Sequence, residues 1–287
     1  MYAKRLNLHT SPVKSGKLYA KRGVLHTFYY ICSMILMGVV NLTPDSFRED
    51  TRAMTAAAVR RRVESLLERG CGIIDFGAVS TRPGAAPVPV ETEWQRLQPA
   101  IDLICLDGRL AAAPETEGIP PVSVDTTSAE IVRRVYGRIG RFIVNDISAG
   151  EDDPRMLPTV AELGLPYIAM HKRGNPRSMD SLTDYPQGVV AAVDGYFRDF
   201  AARAEEMGVS EWILDPGFGF AKSAEQNWEL LENLPAFRHF GRPILVGVAD
   251  KRFTRTPNPF AAEGPASGSA YAERLAGERG ADILRIH

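Results

Sequence analysis

Short apolar segments alternate with longer amphipathic segments along most of this chain. The first apolar segment, residues 35–40, contains no polar side chain, which is typical of a strand buried on both faces of a parallel sheet. Asn41 ends it, and the Thr-Pro-Asp-Ser sequence that follows predicts a turn, because proline cannot continue a strand ladder and Asp and Ser side chains bind turn amides. The pattern therefore places a polar side chain at the carboxyl end of a buried strand.

The rest of the chain repeats this order of strand and helix. Residues 55–69 illustrate the helical pattern, with one apolar stripe opposite several arginines and a glycine, Gly70, at the end. Strands are predicted at residues 35–40, 73–77, 122–125, 142–146, 167–170, 212–215, 244–248 and 283–287, and helices at residues 55–69, 91–106, 128–135, 156–163, 188–207, 226–234 and 268–278.

Eight strands alternating with seven helices, without a linker or low-complexity tract, predict an α/β protein with a single (β/α)8 TIM barrel. The predicted barrel lacks its last helix, because the eighth strand coincides with the end of this sequence. Either the N-terminal segment or a partner subunit covers the outer face that this helix would cover, or the sequence is truncated. We assign residues 34–287 to the barrel domain and residues 1–33 to a basic N-terminal segment.

The N-terminal segment, residues 1–33, contains six lysines and arginines and no acid; the first acidic residue of the chain is Asp45. This composition leaves three alternatives open: an organellar transit peptide, an ordinary basic arm, or residues upstream of a true start at Met34. The apolar residues 28–40 are too few to span a bilayer, so no membrane partner is expected.

Composition narrows the class of protein further. With 24% charged residues and a net charge of -1, the chain lacks the basic footprint expected of a nucleic-acid-binding protein. The three cysteines, Cys32, Cys71 and Cys105, form no CxxC pair. They predict a reducing, cytoplasmic location and no structural metal.

Polar side chains recur where the predicted strands end. One such residue alone is more often a loop cap, but a barrel directs all its carboxyl strand ends into one cleft. Acids and amides in that cleft suit a polar heterocycle, and the cations Arg82, Lys251, Arg285 and His287 suit an anion such as phosphate. The strand-end residues are Asn41, Asp75, Asp125, Asn145, Asp146, Met170, His171, Asp215, residues 249–251, Arg285 and His287.

Several strings of residues resemble one enzyme family. Residues 38–47 read Gly-Val-Val-Asn-Leu-Thr-Pro-Asp-Ser-Phe, and residues 80–85 read Ser-Thr-Arg-Pro-Gly-Ala. Shorter strings are Ile-Asp-Phe-Gly at 74–77, Ser-Val-Asp-Thr at 123–126, Asn-Asp-Ile at 145–147, Leu-Asp-Pro-Gly-Phe-Gly-Phe at 214–220 and Arg-Ile-His at 285–287. In this order they resemble dihydropteroate synthase from about Met34 to the last residue. The (β/α)8 fold of that family agrees with the alternation above.

The resemblance implies a transferase of folate biosynthesis. It would join 6-hydroxymethyl-7,8-dihydropterin diphosphate to p-aminobenzoate, releasing diphosphate and forming 7,8-dihydropteroate. It also implies Mg²⁺ as cofactor, small molecules as the substrates, and a homodimer, since barrels of this family commonly pair.

The resemblance further implies roles for individual residues. Asp125, Asp215 and Lys251 would be catalytic, and Asp125 would stabilise positive charge on the departing pterin-methyl group. Asn41 would be the Mg²⁺ ligand, because an amide oxygen is a suitable hard ligand for an ion that bridges phosphates. The pterin-binding residues would be Asp125, Asn145, Asp215 and Lys251; the diphosphate-binding residues Asn41, Arg285 and His287; and the p-aminobenzoate-binding residues Phe47, Thr81, Arg82, Pro83, Phe218 and Phe220.

Some positions depart from the family pattern. Residues 249–252 read Ala-Asp-Lys-Arg in place of Ser-Arg-Lys-Ser, Val79 replaces a glutamate, and Ala221 replaces a glycine. Asp250 beside an anion site predicts weaker diphosphate binding by like-charge repulsion, unless Arg252 restores the positive charge.

Two alternative functions follow from these departures and from the fold. The first is a noncatalytic or impaired pterin-binding paralogue, which Asp250 would favour. The second is a related methyltransferase that passes a methyl group from a folate to a corrinoid. The Ser-Thr-Arg-Pro-Gly-Ala string and the lack of a corrinoid domain argue against it.

Overall fold

A barrel of eight parallel strands lies at the centre of the molecule. The computed structural model describes residues 34–43, 56–80, 87–106, 122–174, 178, 181–261, 264 and 266–287. The strands are β1 (Ile35–Asn41), β2 (Ile73–Gly77), β3 (Val122–Asp125), β4 (Ile143–Asp146), β5 (Tyr167–Met170), β6 (Trp212–Asp215), β7 (Leu245–Val246) and β8 (Ile283–Ile286).

The strands pair in the order β6-β5-β4-β3-β2-β1-β8-β7. The remaining seam, between β6 and β7, is joined by a parallel bridge between Leu214 and Ile244 and by the Leu214 N–H, which donates to the Pro243 carbonyl at 2.9 Å. The cylinder is therefore closed, and the predicted (β/α)8 barrel is confirmed.

In the described part of the chain, seven α-helices alternate with the strands, and no helix follows β8. None of these helices is long and apolar enough to cross a membrane. The proposed N-terminal segment lies outside the described residues. The helices are α1 (Ala56–Glu68), α2 (Val90–Leu106), α3 (Ala129–Ile139), α4 (Met156–Leu163), α5 (Val189–Met207), α6 (Ala224–Glu232) and α7 (Ser269–Glu278).

All predicted bounds except the end of α3 agree with the structure within two residues, and β7 is the element most shortened relative to its length. Helix α3 continues past the predicted residue 135 to Ile139, which packs against the core, so that packing outweighs the unfavourable helical Gly137. Strand β7 has only two residues where five were predicted. At its start, the Ile244 N–H donates to Oδ2 of Asp282 at 2.7 Å instead of to a neighbouring strand.

The barrel interior has an apolar floor beneath a polar layer. Successive strand side chains point to opposite faces, so positions two residues beyond the floor also face the interior, nearer the carboxyl ends. The floor consists of Met37, Ile73, Ile143, Ile168, Ile213, Leu245 and Ile283. Two residues beyond them along the strands lie Val39, Asp75, Asn145, Met170, Asp215, Gly247 and Arg285.

Candidate active site at the carboxyl ends of the strands

Polar side chains that are far apart in the sequence line one cavity at the carboxyl ends of the strands. Of the predicted site residues that the structure describes, all except Asn41 line it. Phe47, Thr81, Arg82 and Pro83 lie outside the described residues. The lining residues are Asp125, Asn145, Ile147, Met170, Asp215, Phe218, Phe220, Gly247, Ala249, Lys251, Arg285 and His287.

Arg285 and two acids form the deepest polar group of the site. Arg285 Nη2 lies 2.7 Å from Oδ2 of Asp75 and 3.1 Å from Oδ2 of Asp125, and Nε donates to Asp75 at 2.9 Å. The amide of Asn145 also donates to Asp75, at 3.3 Å. Asp75 is fully buried and orients two cavity residues, Arg285 and Asn145, although no individual role was predicted for it from the sequence. Two features of the sequence could have identified Asp75: its place in the Ile-Asp-Phe-Gly string and its position two residues beyond Ile73.

Asp125 titrates far above the usual range of an aspartate. Burial raises its pKa to about 7, against the opposing effect of Arg285, and the negative charges of Asp75 and Glu93 add to the increase. The end of β3 is also anchored next to this residue, because Thr126 Oγ1 donates to Oε1 of buried Glu93 at 2.6 Å. The carboxyl of Asp125 can therefore change charge near neutral pH.

Asp215 and Lys251 face the cavity from the opposite side of the barrel interior, on β6 and after β7. Burial raises the pKa of Asp215, while the Gly217 N–H, which donates to its Oδ1 at 2.8 Å, and Lys251 oppose that increase. Burial and Arg285 lower the pKa of Lys251 to about 8, against the effect of Asp215 and Asp125. Both groups combine a charge with a desolvated position, which is typical of functional sites.

Two aromatic residues line the same cavity from the segment after β6. The ring of Phe218 is 2% exposed and stacks on Phe253 with 6.1 Å between ring centroids. Phe220 is partly exposed, and Lys251 Nζ lies 4.8 Å from its ring centroid. Gly219 between them has φ of +78°, and a Cβ there would lie 3.2 Å from Lys251 Cδ. The absence of a side chain at Gly219 therefore leaves room for the lysine side chain.

Two of the predicted diphosphate-binding residues, His287 and Asn41, lie at the rim, whereas Arg285 lies deeper. Burial and Arg285 lower the pKa of His287, whereas Asp250 opposes that change. Asp250 is exposed and has φ of +56°, in the left-handed region. Asn41 is partly exposed at the end of β1. Because it lies an even number of residues after Met37, its side chain faces the barrel interior as that of Met37 does.

His171, for which no role was predicted from the sequence, lies just after β5, and its N–H donates to the Asp215 carbonyl at 2.9 Å. Its Nδ1 is 2.9 Å from Nζ of Lys222, a second lysine buried close to Asp215. Neither residue lines the cavity.

Comparisons with known proteins agree with this geometry. The model of the family described as "Pterin binding enzyme" matches residues 37–287. The dihydropteroate synthase of Escherichia coli (strain K12) is 36% identical over 254 residues, covering 88% of this chain and 86% of that protein.

Two solved structures of Xanthomonas albilineans dihydropteroate synthase are similar. The one with 4-aminobenzoic acid is 35% identical, with a TM-score of 0.73, and the match covers 88% of this chain and 87% of that one. The one in complex with 7,8-dihydropteroate is 32% identical, with a TM-score of 0.69, and the same shares are covered. The chain therefore belongs to the dihydropteroate synthase family of pterin-binding enzymes.

Proposed function

We propose that this enzyme is a transferase that joins 6-hydroxymethyl-7,8-dihydropterin diphosphate to p-aminobenzoate, forming 7,8-dihydropteroate in folate biosynthesis. The observation that carries the proposal is the single cavity shared by Asp125, Asn145, Asp215 and Lys251. Acids and an amide can accept from the amino and N–H groups of a pterin, while a lysine donates to its acceptor atoms. Family membership and the 7,8-dihydropteroate bound by the Xanthomonas albilineans relative support the same ligand.

The reaction breaks the bond between the pterin methylene carbon and the diphosphate oxygen. The amine nitrogen of p-aminobenzoate forms a bond to that carbon and then loses a proton, so no covalent enzyme intermediate is required. Asp125 as a carboxylate would stabilise positive charge that develops on the pterin-methyl group. The electron pair leaves with diphosphate, near Arg285 and His287, which line the same cavity.

Arg285 contributes charge to both halves of this site. Its contacts with Asp75 and Asp125 hold the guanidinium at the level of the pterin-binding acids. As the proposed diphosphate-binding residue, it can offer its remaining N–H groups to a phosphate oxygen, since a guanidinium carries five donors.

The proposed cofactor is Mg²⁺, with Asn41 as its protein ligand. Among the described residues no group of three or more His, Cys, Asp or Glu side chains could hold a metal ion. One amide oxygen fits an ion that takes its other ligands from substrate phosphates and water. Bound there, Mg²⁺ would stabilise negative charge on the departing diphosphate.

The proposed p-aminobenzoate site adjoins the pterin residues. Phe218 and Phe220 line the cavity, and their rings suit an aromatic amine. The other predicted members of this site, Phe47, Thr81, Arg82 and Pro83, lie outside the described residues, and we propose that they contribute to the same p-aminobenzoate site.

The decisive experiment mixes purified protein with the pterin diphosphate and p-aminobenzoate, with and without Mg²⁺, and follows dihydropteroate by chromatography. We expect product formation that depends on Mg²⁺ and on both substrates. A well-folded protein that forms no dihydropteroate under these conditions would remove the proposal.

A pterin-binding paralogue without turnover is the second candidate, and exposed Asp250 on the loop after β7 is the observation that favours it. Calorimetry separates the two functions. Binding of the pterin diphosphate in a protein that yields no product would identify the paralogue, whereas turnover excludes it.

We also propose that two copies of the chain pair as a homodimer in the cytoplasm. Light scattering coupled to size-exclusion chromatography gives the mass in solution, and a monomeric mass at micromolar concentration would contradict the pairing.

A further inference from the structure

A buried lysine, Lys222, forms hydrogen bonds with the segment that follows β6. Lys222 Nζ donates to the carbonyl of Gly217 at 2.9 Å and to that of Phe220 at 3.1 Å. It also lies 2.9 Å from Nδ1 of His171, just after β5. Lys222 is 8% exposed and His171 is 3% exposed. An ammonium group has three donors, and here it meets three acceptors.

The protonation of the pair follows from this arrangement. An ammonium that donates to all three partners requires an unprotonated Nδ1 on His171, so the ring proton of the neutral imidazole lies on Nε2. Burial and Lys222 lower the pKa of His171 well below its usual value, in agreement with a neutral ring. Burial also lowers the pKa of Lys222 to about 7, against the opposing effect of Asp215, so the ammonium form predominates below that pH. The edge of that ring also packs against Tyr196, with centroids 4.9 Å apart.

Other contacts show that the lysine completes a set of backbone anchors. Gly217 has φ of +70°, and a Cβ there would lie 2.0 Å from the His171 carbonyl oxygen, so the segment passes directly against the chain leaving β5. The Gly219 N–H donates to Oδ1 of Asn227 at 2.7 Å. Lys222 therefore supplies the anchors at the carbonyls on either side of Phe218 and Gly219.

The anchored segment carries two side chains of the cavity. Phe218 and Phe220 line it, whereas Lys222 and His171 do not. Removing the ammonium would take the lysine donor away from the carbonyls of Gly217 and Phe220, although the Gly217 carbonyl would still accept from the Phe220 N–H at 3.2 Å. The segment would then be held less firmly, because buried polar groups need a partner.

We propose that Lys222 and His171 are positioning residues that hold Phe218 and Phe220 in place for the aromatic amine substrate. This inference rests on the proposed function, since it requires a second substrate with an aromatic ring. It assigns a role to a buried lysine that touches neither substrate.

The test compares Lys222→Met with wild-type enzyme in steady-state assays. We expect the KM for p-aminobenzoate to rise about tenfold, while the dissociation constant of the pterin diphosphate changes less than about threefold. The reason is that the pterin-binding residues Asp125, Asn145 and Asp215 lie on strands β3, β4 and β6, outside the anchored segment. Hydrogen exchange should accelerate in a peptide covering residues 216–222 and remain unchanged in the strands.

Lys172→Met is the matched control, because Lys172 is a neighbouring lysine whose ammonium pairs with Asp152 at 2.7 Å, away from the segment. It should leave both substrate constants unchanged. A second variant, His171→Leu, keeps both carbonyl contacts of the lysine, and we expect the same direction of effect with a smaller size. His171→Gln, which restores an acceptor, should recover part of the affinity.

The outcomes separate the two proposals. If wild-type protein forms no dihydropteroate, the proposed function fails. If wild-type protein is active and a folded Lys222→Met or His171→Leu variant keeps the wild-type KM for p-aminobenzoate and wild-type exchange at residues 216–222, the positioning role is overturned. Equal losses for both substrates would overturn it as well, because they indicate a general structural role.

Discussion

Arg285 on β8 and Asp75 on β2 form an ion pair across the barrel interior, with 2.7 Å between Nη2 and Oδ2. Asp75 is fully buried, and the same guanidinium reaches Asp125 on β3 at 3.1 Å. One cation thus links the ends of three strands. Because a buried charge without a partner is strongly destabilising, this contact sets both the stability and the electrostatics of the site.

Replacing Arg285 by methionine should lower the free energy of unfolding by about 3–5 kcal/mol, since it leaves a buried carboxylate without its cation. Urea denaturation followed by circular dichroism measures the loss. The double variant Asp75→Asn/Arg285→Met should lose less than the sum of the single variants. Additive losses would show that the two side chains do not depend on each other.

The turnover of the enzyme should depend on the ionisation of Asp125. Because its pKa is raised to about 7, the fraction of carboxylate grows, and kcat should increase, between about pH 6 and pH 8. Asp125→Asn should reduce kcat by about 100-fold or more at every pH, since an amide cannot stabilise a cation as a carboxylate does. A variant with near-wild-type kcat would contradict the assigned role.

The same substitution should change how stability depends on pH. The pKa of Asp125 is higher in the folded protein than its usual value of 3.8, so the folded state binds more protons and the free energy of unfolding falls as pH rises from about 4 to about 7. Asp125→Asn removes this contribution, and its unfolding free energy should fall less between pH 5 and pH 7. Parallel curves from urea denaturation at several pH values would contradict this linkage.

Gly217 should tolerate no side chain. A Cβ there would lie 2.0 Å from the His171 carbonyl oxygen, and φ is +70°. Gly217→Ala should cost about 2–5 kcal/mol, from left-handed backbone strain and steric overlap together. Gly164→Ala is the control, because φ is +61° there but nothing lies within 4 Å, so only the backbone cost of about 1–2 kcal/mol applies. Equal losses in thermal or urea unfolding would rule out the steric explanation.

Asp250 should weaken the binding of diphosphate. Asp250→Asn removes the negative charge and keeps a residue type that accepts the φ of +56°, and we expect affinity for Mg²⁺ with diphosphate to rise about two- to fivefold in calorimetry. Asp250→Arg should act in the same direction, although arginine fits this backbone less well. Unchanged affinity in both variants would show that Arg252 already supplies the missing positive charge.

The pattern of apolar residues was sufficient for the order of strands and helices, and several bounds, such as those of β2 and α4, agree to the residue. These elements depend on periodicity and end signals that act over a few residues. The same apolar pattern indicated that Asp125, Asn145, Asp215 and Lys251 lie close together, because a barrel aligns its strand ends. The extent of α3 and β7 was missed, since packing and pairing with distant segments decide it.

The sequence by itself therefore determined the fold class, the family and the residue types around the cavity, because local patterns and long matching strings carry that information. Only the tertiary structure decided which charges meet. Asp75 and Arg285 are 210 residues apart in the chain, and Lys222 and His171 are 51 residues apart. Ion pairs and hydrogen bonds depend on distances of a few ångströms, and closure of the barrel brings these groups within that range.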